Sequence, residues 1–219
     1  MLTVAEGTKR IIERSRYLQE ALEKGLINIS SLARYIKPEL EEMLIKKIST
    51  SAIIMAIRRV AKILKPQFKY KNIFKTPPDM ITRSNLVEIN ITNSKNLVDK
   101  YPHILKTTRS QAESFFTITE GVFETTIIIS KDLYKDVKKV VKDEIIVSEF
   151  QDLCSITIRL PKEAIFTPGV FYFFLKSLAW EGVNIIEVVS TYRELTLILQ
   201  RKDTNKAFSL LQSLFPQSI

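Results

Sequence analysis

The sequence predicts an α+β protein: a helical, basic N-terminal third followed by two βαββαβ units. Two observations carry that expectation. The first is an internal repeat. A shift of 70 lays Glu124, Thr126 and Ile128 on Glu194, Thr196 and Ile198, and a shift of 67 lays residues 86–92 on 153–159. The second is a charge asymmetry, with 16 Lys/Arg against 7 Asp/Glu in residues 1–75 and 17 of each in residues 76–219. The expected divisions are 1–75 for the helical domain and linker, 79–151 for the first unit and 152–219 for the second.

In the first third, Ile11, Ile12, Leu18, Ala21 and Leu22 share one side of a predicted helix over 8–24, which Gly25 stops. Asn28, Ser30 and Ser31 offer cap oxygens to a short helix over 32–36. Pro38 sets a boundary before a further turn over 39–45. Ser49, Thr50 and Ser51 open the last helix, where Ile53, Ile57, Val60 and Leu64 form a buried stripe. Residues 65–78, with three prolines and four lysines, read as a linker.

The first unit is expected as strand 86–92, helix 95–111, strands 114–121 and 124–130, helix 132–142 and strand 145–150. The second is expected as strand 153–160, helix 168–181, strands 184–191 and 194–200 and helix 203–214, its last strand missing or very short.

Several function classes find no support. The start lacks the basic-then-apolar layout of a signal peptide, and no apolar run is long enough to span a bilayer. The single cysteine, Cys154, sits in an apolar-alternating stretch, reads as a core residue and fits a reducing cytoplasm. The single histidine, His103, has no cysteine or histidine partner for a metal. The five glycines are isolated, so no phosphate-cradling loop appears. No catalytic residue, metal or cofactor is expected.

Thr167-Pro168-Gly169-Val170 carries a chemical possibility. Thr167 suits an N-cap and Pro168 a first helical position, and Gly169 leaves the first-turn N–H groups open to a carboxylate. The same four residues also make a helix start that binds nothing. Together with Asn184 and Ile185 after the helix-ending Gly182, they resemble the ACT domain, the regulatory module of enzymes such as aspartokinase. The resemblance implies ferredoxin-like units, a homodimer or larger assembly, and an amino-acid site at its interface lined by Thr167, Pro168, Gly169, Val170, Asn184 and Ile185. The first repeat reads Asn93-Ser-Lys-Asn-Leu-Val where Pro-Gly should stand, which leaves it a degenerate, structural copy.

The N-terminal third resembles a helix-turn-helix module, with Lys46, Lys47, Arg58, Arg59 and Lys62 placed to contact the phosphates of double-stranded DNA. The expected protein is therefore an amino-acid-responsive, DNA-binding transcriptional regulator. The alternative is a regulatory or assembly subunit whose basic helices dock on an acidic biosynthetic enzyme.

Overall fold

The computed structural model describes residues 2–63, 73–109 and 114–215. The chain forms two compact units, Met1–Gln67 and Phe68–Ile219. No helix among the described residues is long and apolar enough to cross a membrane.

In the helical unit the predicted helix over 8–24 is two helices, α1 (Val4–Arg14) and α2 (Arg16–Glu23), parted by an extended Ser15. The break turns Leu22 of α2 into the same core as Ile11 and Ile12 of α1. The buried Gln19 amide donates to the Glu13 carbonyl across it, at 2.7 Å.

Residues 32–45 were expected as two pieces; they lie instead in one helix, α3 (Ile29–Leu44), running through Pro38. Leu32, Ala33, Ile36 and Leu40 make one buried stripe spanning the proline. Burying three large aliphatic side chains stabilises by about 1.5–3 kcal/mol each, against about 3 kcal/mol for an interior proline. The stripe wins.

Ser49 Oγ accepts the Ala52 N–H at 3.3 Å and opens α4 (Thr50–Ile63), as expected. Ile53, Ala56, Ile57 and Val60 are its buried face; Leu64 and most of the expected linker lie outside the described residues.

The second unit holds one six-stranded sheet in the order β2-β3-β1-β4-β6-β5, every neighbouring pair antiparallel. Its elements are β1 (Met80–Thr92), α5 (Leu97–Arg109), β2 (Phe116–Glu120), β3 (Glu124–Ser130), α6 (Tyr134–Val140), β4 (Ile146–Arg159), α7 (Val170–Trp180), β5 (Glu187–Ser190), β6 (Glu194–Gln200) and α8 (Thr204–Ser213).

Two expectations change here. The expected boundary at 151/152 falls inside β4, and β1 begins six residues before the predicted strand. The change explains the missing strand. Residues 86–92 of β1 pair with β3 inside the first repeat, whereas Met80–Arg83 pair with Ser155–Ile158 of β4. The fourth strand of the second repeat thus comes from upstream of the first, so the repeats share two long strands.

Each repeat keeps its own core under its helices. Val87, Ile89 and Ile91 meet Leu97, Ile104 and Val137 in the first; Ile156 and Ile158 meet Phe173, Phe174, Leu178 and Leu211 in the second. The opposite face curls onto itself, burying Leu86, Ile128, Leu153 and Ile198 beneath Phe115, Ile186 and Val189. Cys154 is buried, as its alternating stretch implied.

Candidate effector site and basic helix face

At the start of α7 the local geometry differs from the expected cap. Thr167 Oγ1 donates to the Glu163 carbonyl at 2.8 Å and closes a 3₁₀ turn over Lys162–Phe166. Gly169, with φ 87°, is the N-cap, so Pro168 precedes the helix rather than beginning it, and Val170 is its first residue. A residue without Cβ reaches this left-handed conformation without strain, which moves the helix start past the proline. The N–H groups of Gly169 and Val170 have no backbone acceptor among the described residues. They face the favourable end of the helix dipole for a carboxylate.

The first repeat is closed at the equivalent point. Ser94 Oγ accepts the Leu97 N–H at 3.1 Å and donates to Glu144 Oε2 at 2.7 Å. Lys100 pairs with Glu144 at 2.6 Å, and that pair together with Ser94 holds the Glu144 carboxyl below its ordinary range. The Glu144 carboxylate is tied to this helix start through the Ser94 hydroxyl and Lys100.

Asn184 and Ile185 lie beyond the other end of α7. Gly182, with φ 70°, ends the helix, and the exposed Asn184 leads towards β5. Eleven residues of α7 span about 16 Å at 1.5 Å per residue. One amino acid therefore cannot touch Gly169 and Asn184 of the same chain; the two groups meet a common ligand only across two copies. Asn184 and Ile185 share an open groove with Leu175, Ala179, Ile186 and Glu187.

The aromatic run of α7 divides. Phe173 and Phe174 enter the core with Phe74 and Phe215, at centroid separations of 5.1–6.5 Å. Phe171 and Trp180 stay exposed, and the Lys176 ammonium stands over the rings of Tyr172 and Trp180.

In the helical unit, Arg58, Arg59 and Lys62 share the exposed face of α4 with Ser51, Ala52 and Met55, while Lys46 and Lys47 are exposed in the connection before it. Among the described residues, the ion pairs of this unit are Lys9–Glu13, Arg14–Glu39 and Lys37–Glu41, none of which uses those five cations. Arg58, Arg59 and Lys62 lie towards the C-terminal end of α4, and Lys46 and Lys47 before its start. His103 is exposed, and no group of three or more potential metal ligands occurs among the described residues.

Sequence reasoning passed over Glu88. It alternates with Val87 and Ile89 and so reads as a solvent-facing strand position, yet it is 2% exposed, on the face that curls closed. Its Oε1 accepts from Asn90 Nδ2 at 2.9 Å, and its Oε2 has no partner among the described residues.

No protein-family model matches the chain, and no curated protein does. Among solved structures it resembles the aspartate kinase of Clostridium acetobutylicum, at TM-score 0.52 and 16% identity over 63% of this chain and 34% of that one. It also resembles the ligand-free regulatory subunit of aspartate kinase from Thermus thermophilus, at TM-score 0.50 and 13% identity over 63% of this chain and 98% of that one. The sheet-bearing unit has an ACT-like fold. The chain spans about a third of the Clostridium enzyme and nearly all of the Thermus regulatory subunit.

Proposed function

We propose that this protein is an amino-acid-responsive regulator in which the second repeat binds the effector and the helical unit engages double-stranded DNA. The observation that carries the reading is a division of labour within one chain. An ACT-like sheet, open for an anion at Gly169 and Val170 in only one repeat, accompanies a separate helical unit with five cations outside any ion pair among the described residues. Two chains meet so that Thr167, Pro168, Gly169 and Val170 of one face Asn184 and Ile185 of the other. The effector carboxylate takes the two N–H groups, and the Asn184 amide orients its amino group. Lys46, Lys47, Arg58, Arg59 and Lys62 neutralise duplex phosphates.

A mobility shift of duplex DNA by the full chain, with and without pooled amino acids, tests both halves. A shift altered by the pool supports the reading. Failure to shift any duplex at low salt removes the DNA half.

A second reading, a regulatory subunit that docks on an acidic enzyme, is favoured by the N-terminal half of α4. Its exposed face is Ser51, Ala52 and a half-exposed Met55, and Ile45 in the connection before α4 is 93% exposed. Base reading takes hydrogen-bonding side chains near the start of a helix. Small and apolar ones suit a protein surface better. Light scattering that reports a clean monomer at micromolar concentration would sink the two-copy effector site in either reading.

A further inference from the structure

In the second repeat, the sheet face turned away from the helices ends in a cavity of about 490 Å³. Ile156 and Ile158 enter the helix-side core, so the alternate residues Thr157 and Arg159 of β4 line the other face. Ile81 lies opposite Thr157, Glu194 lies opposite Arg159, and the Arg159 N–H donates to the Asp79 carbonyl. The turn between β5 and β6 supplies Tyr192 and Arg193. Arg193 is tied to the end of β4, its Nε–H donating to the Leu160 carbonyl at 3.3 Å. Strand register thus gathers two arginines, two carboxylates, an aliphatic and an aromatic side chain around one space, of a size usual for small-molecule sites.

These charges are not used to hold the fold. Among the described residues, no ion pair of this unit involves Arg159, Arg193, Asp79 or Glu194. Arg159 and Glu194 nevertheless stand opposed on neighbouring strands. Ile81 and Tyr192 are 54% and 59% exposed beside them. The first repeat serves as an internal comparison. The shifts of 67 and 70 put Thr92 in the place of Arg159 and Phe123 in that of Arg193, so neither cation has a counterpart. There Asn93 ties the same end together, its Nδ2 donating to the Gly121 carbonyl and its Oδ1 accepting the Thr125 hydroxyl, both at 2.7 Å.

We propose that this cavity binds a small carboxylic acid with an amino or hydroxyl group beside its carboxylate and an apolar side chain. Arg159 and Arg193 take the carboxylate, because guanidinium N–H groups match its two oxygens. Opposed residues of neighbouring strands have Cβ atoms about 5 Å apart, so Glu194 meets a donor placed next to that carboxylate. The apolar remainder lies on Ile81 and Tyr192. Two carboxylates disfavour a dianion such as phosphate, and two guanidinium groups disfavour a simple amine. Every group belongs to one chain, so this site needs no second copy and does not rest on the effector site at Gly169.

The test is thermal unfolding of the full chain at neutral pH and constant ionic strength in phenylpropionate, phenyllactate and phenylalanine. These differ only in a hydrogen, a hydroxyl or an ammonium group on the carbon next to the carboxylate. Phenyllactate, phenylalanine or both should raise the midpoint along a saturable curve, with an apparent affinity about tenfold or more above that of phenylpropionate. A response to phenyllactate alone assigns a hydroxy acid; one that includes phenylalanine assigns an amino acid. Arg159 and Glu194 are exposed, so their variants should keep a native circular dichroism spectrum. Arg159→Met should weaken the response about tenfold or more, and Glu194→Gln should erase the preference over phenylpropionate. No response to any of the three, equal responses to all three, or a response unchanged in Arg159→Met would each overturn the proposal. The last would place the acid elsewhere and leave the site at Gly169 standing.

Discussion

Asn85 and Asp152 occupy the same left-handed backbone well, with φ 57° and 55°, and stand 67 residues apart, the offset that superposes the two repeats. Next to each, Leu86 and Leu153 are cross-strand partners. The two residues are thus the two halves of one internal symmetry. Each kinks a long strand where it stops serving one repeat and starts serving the other. Asn and Asp are the residues besides glycine that enter this conformation at modest cost.

Asn85→Val should therefore destabilise the protein by about 1–2 kcal/mol, because a β-branched residue pays the full left-handed penalty. Asn85→Gly should stay within about 1 kcal/mol of the native protein, relief of the left-handed strain offsetting its added freedom when unfolded. Urea midpoints decide. Equal losses for both variants would remove the conformational explanation.

The borrowed strand makes a finer prediction. Arg159 donates its N–H to the Asp79 carbonyl at 2.9 Å, which sets the ladder so that Ile81, opposite Thr157, is a hydrogen-bonded pair and Thr82 points its N–H outward. Ile81→Pro should cost clearly more stability than Thr82→Pro, read by chemical denaturation. The reverse order would mean that Met80–Arg83 does not complete the second repeat.

Glu88 gives a pH dependence whose sign follows from its surroundings. Burial raises its folded pKa above the unfolded value, so between the two the folded state holds a proton that the unfolded state releases. The associated stability is fully present below the unfolded pKa, about 4.3, and is lost as pH climbs through the folded one. Glu88→Gln should gain stability relative to the native chain as pH rises from about 4 to neutrality. Unfolding midpoints with an unchanged difference across that range would show Glu88 to be ordinarily solvated.

For the basic face, duplex binding should fall steeply between about 50 and 200 mM salt, and replacing Arg58 and Arg59 with alanine should reduce the log–log slope by about one to two phosphate contacts. Both side chains are exposed, so circular dichroism should stay native. Undiminished slope in the double variant would place the nucleic acid elsewhere.

Gly7 sits where α1 meets α3, and a Cβ added there would lie 2.6 Å from Leu40 Cδ1. Gly7→Val should overpack this contact and destabilise by about 1–3 kcal/mol, whereas Gly7→Ala should cost less because a leucine methyl can move aside. A fully native melting temperature for Gly7→Val would show that the helices approach less closely.

Much of the sheet was legible because strands declare themselves locally. Glu124–Ser130 and Glu194–Gln200 appear at the predicted residues, since alternation and β-branching act over a few positions. The break at Ser15 and the run through Pro38 were not legible, because tertiary burial decides both. The strand Met80–Arg83 escaped for a different reason: its partner lies far along the chain, and no local pattern assigns it to the second repeat. The candidate effector residues were legible as two helix-end motifs. Their separation by the length of α7 became visible only once that helix was placed between them.

The loan of one strand across the repeats also fixes an order of events. Met80 must find Ile158 across a sequence separation of 78, whereas residues 86–130 close their hairpins within the first repeat. On a chain emerging from its N-terminus, the first repeat can assemble while Met80–Arg83 waits unpaired. The second repeat closes only after β4 and β6 have appeared. During that interval Met80–Arg83 has no β4 beside it. This is the stage of the chain's life at which a neighbouring chain offering a similar strand can take the vacant place.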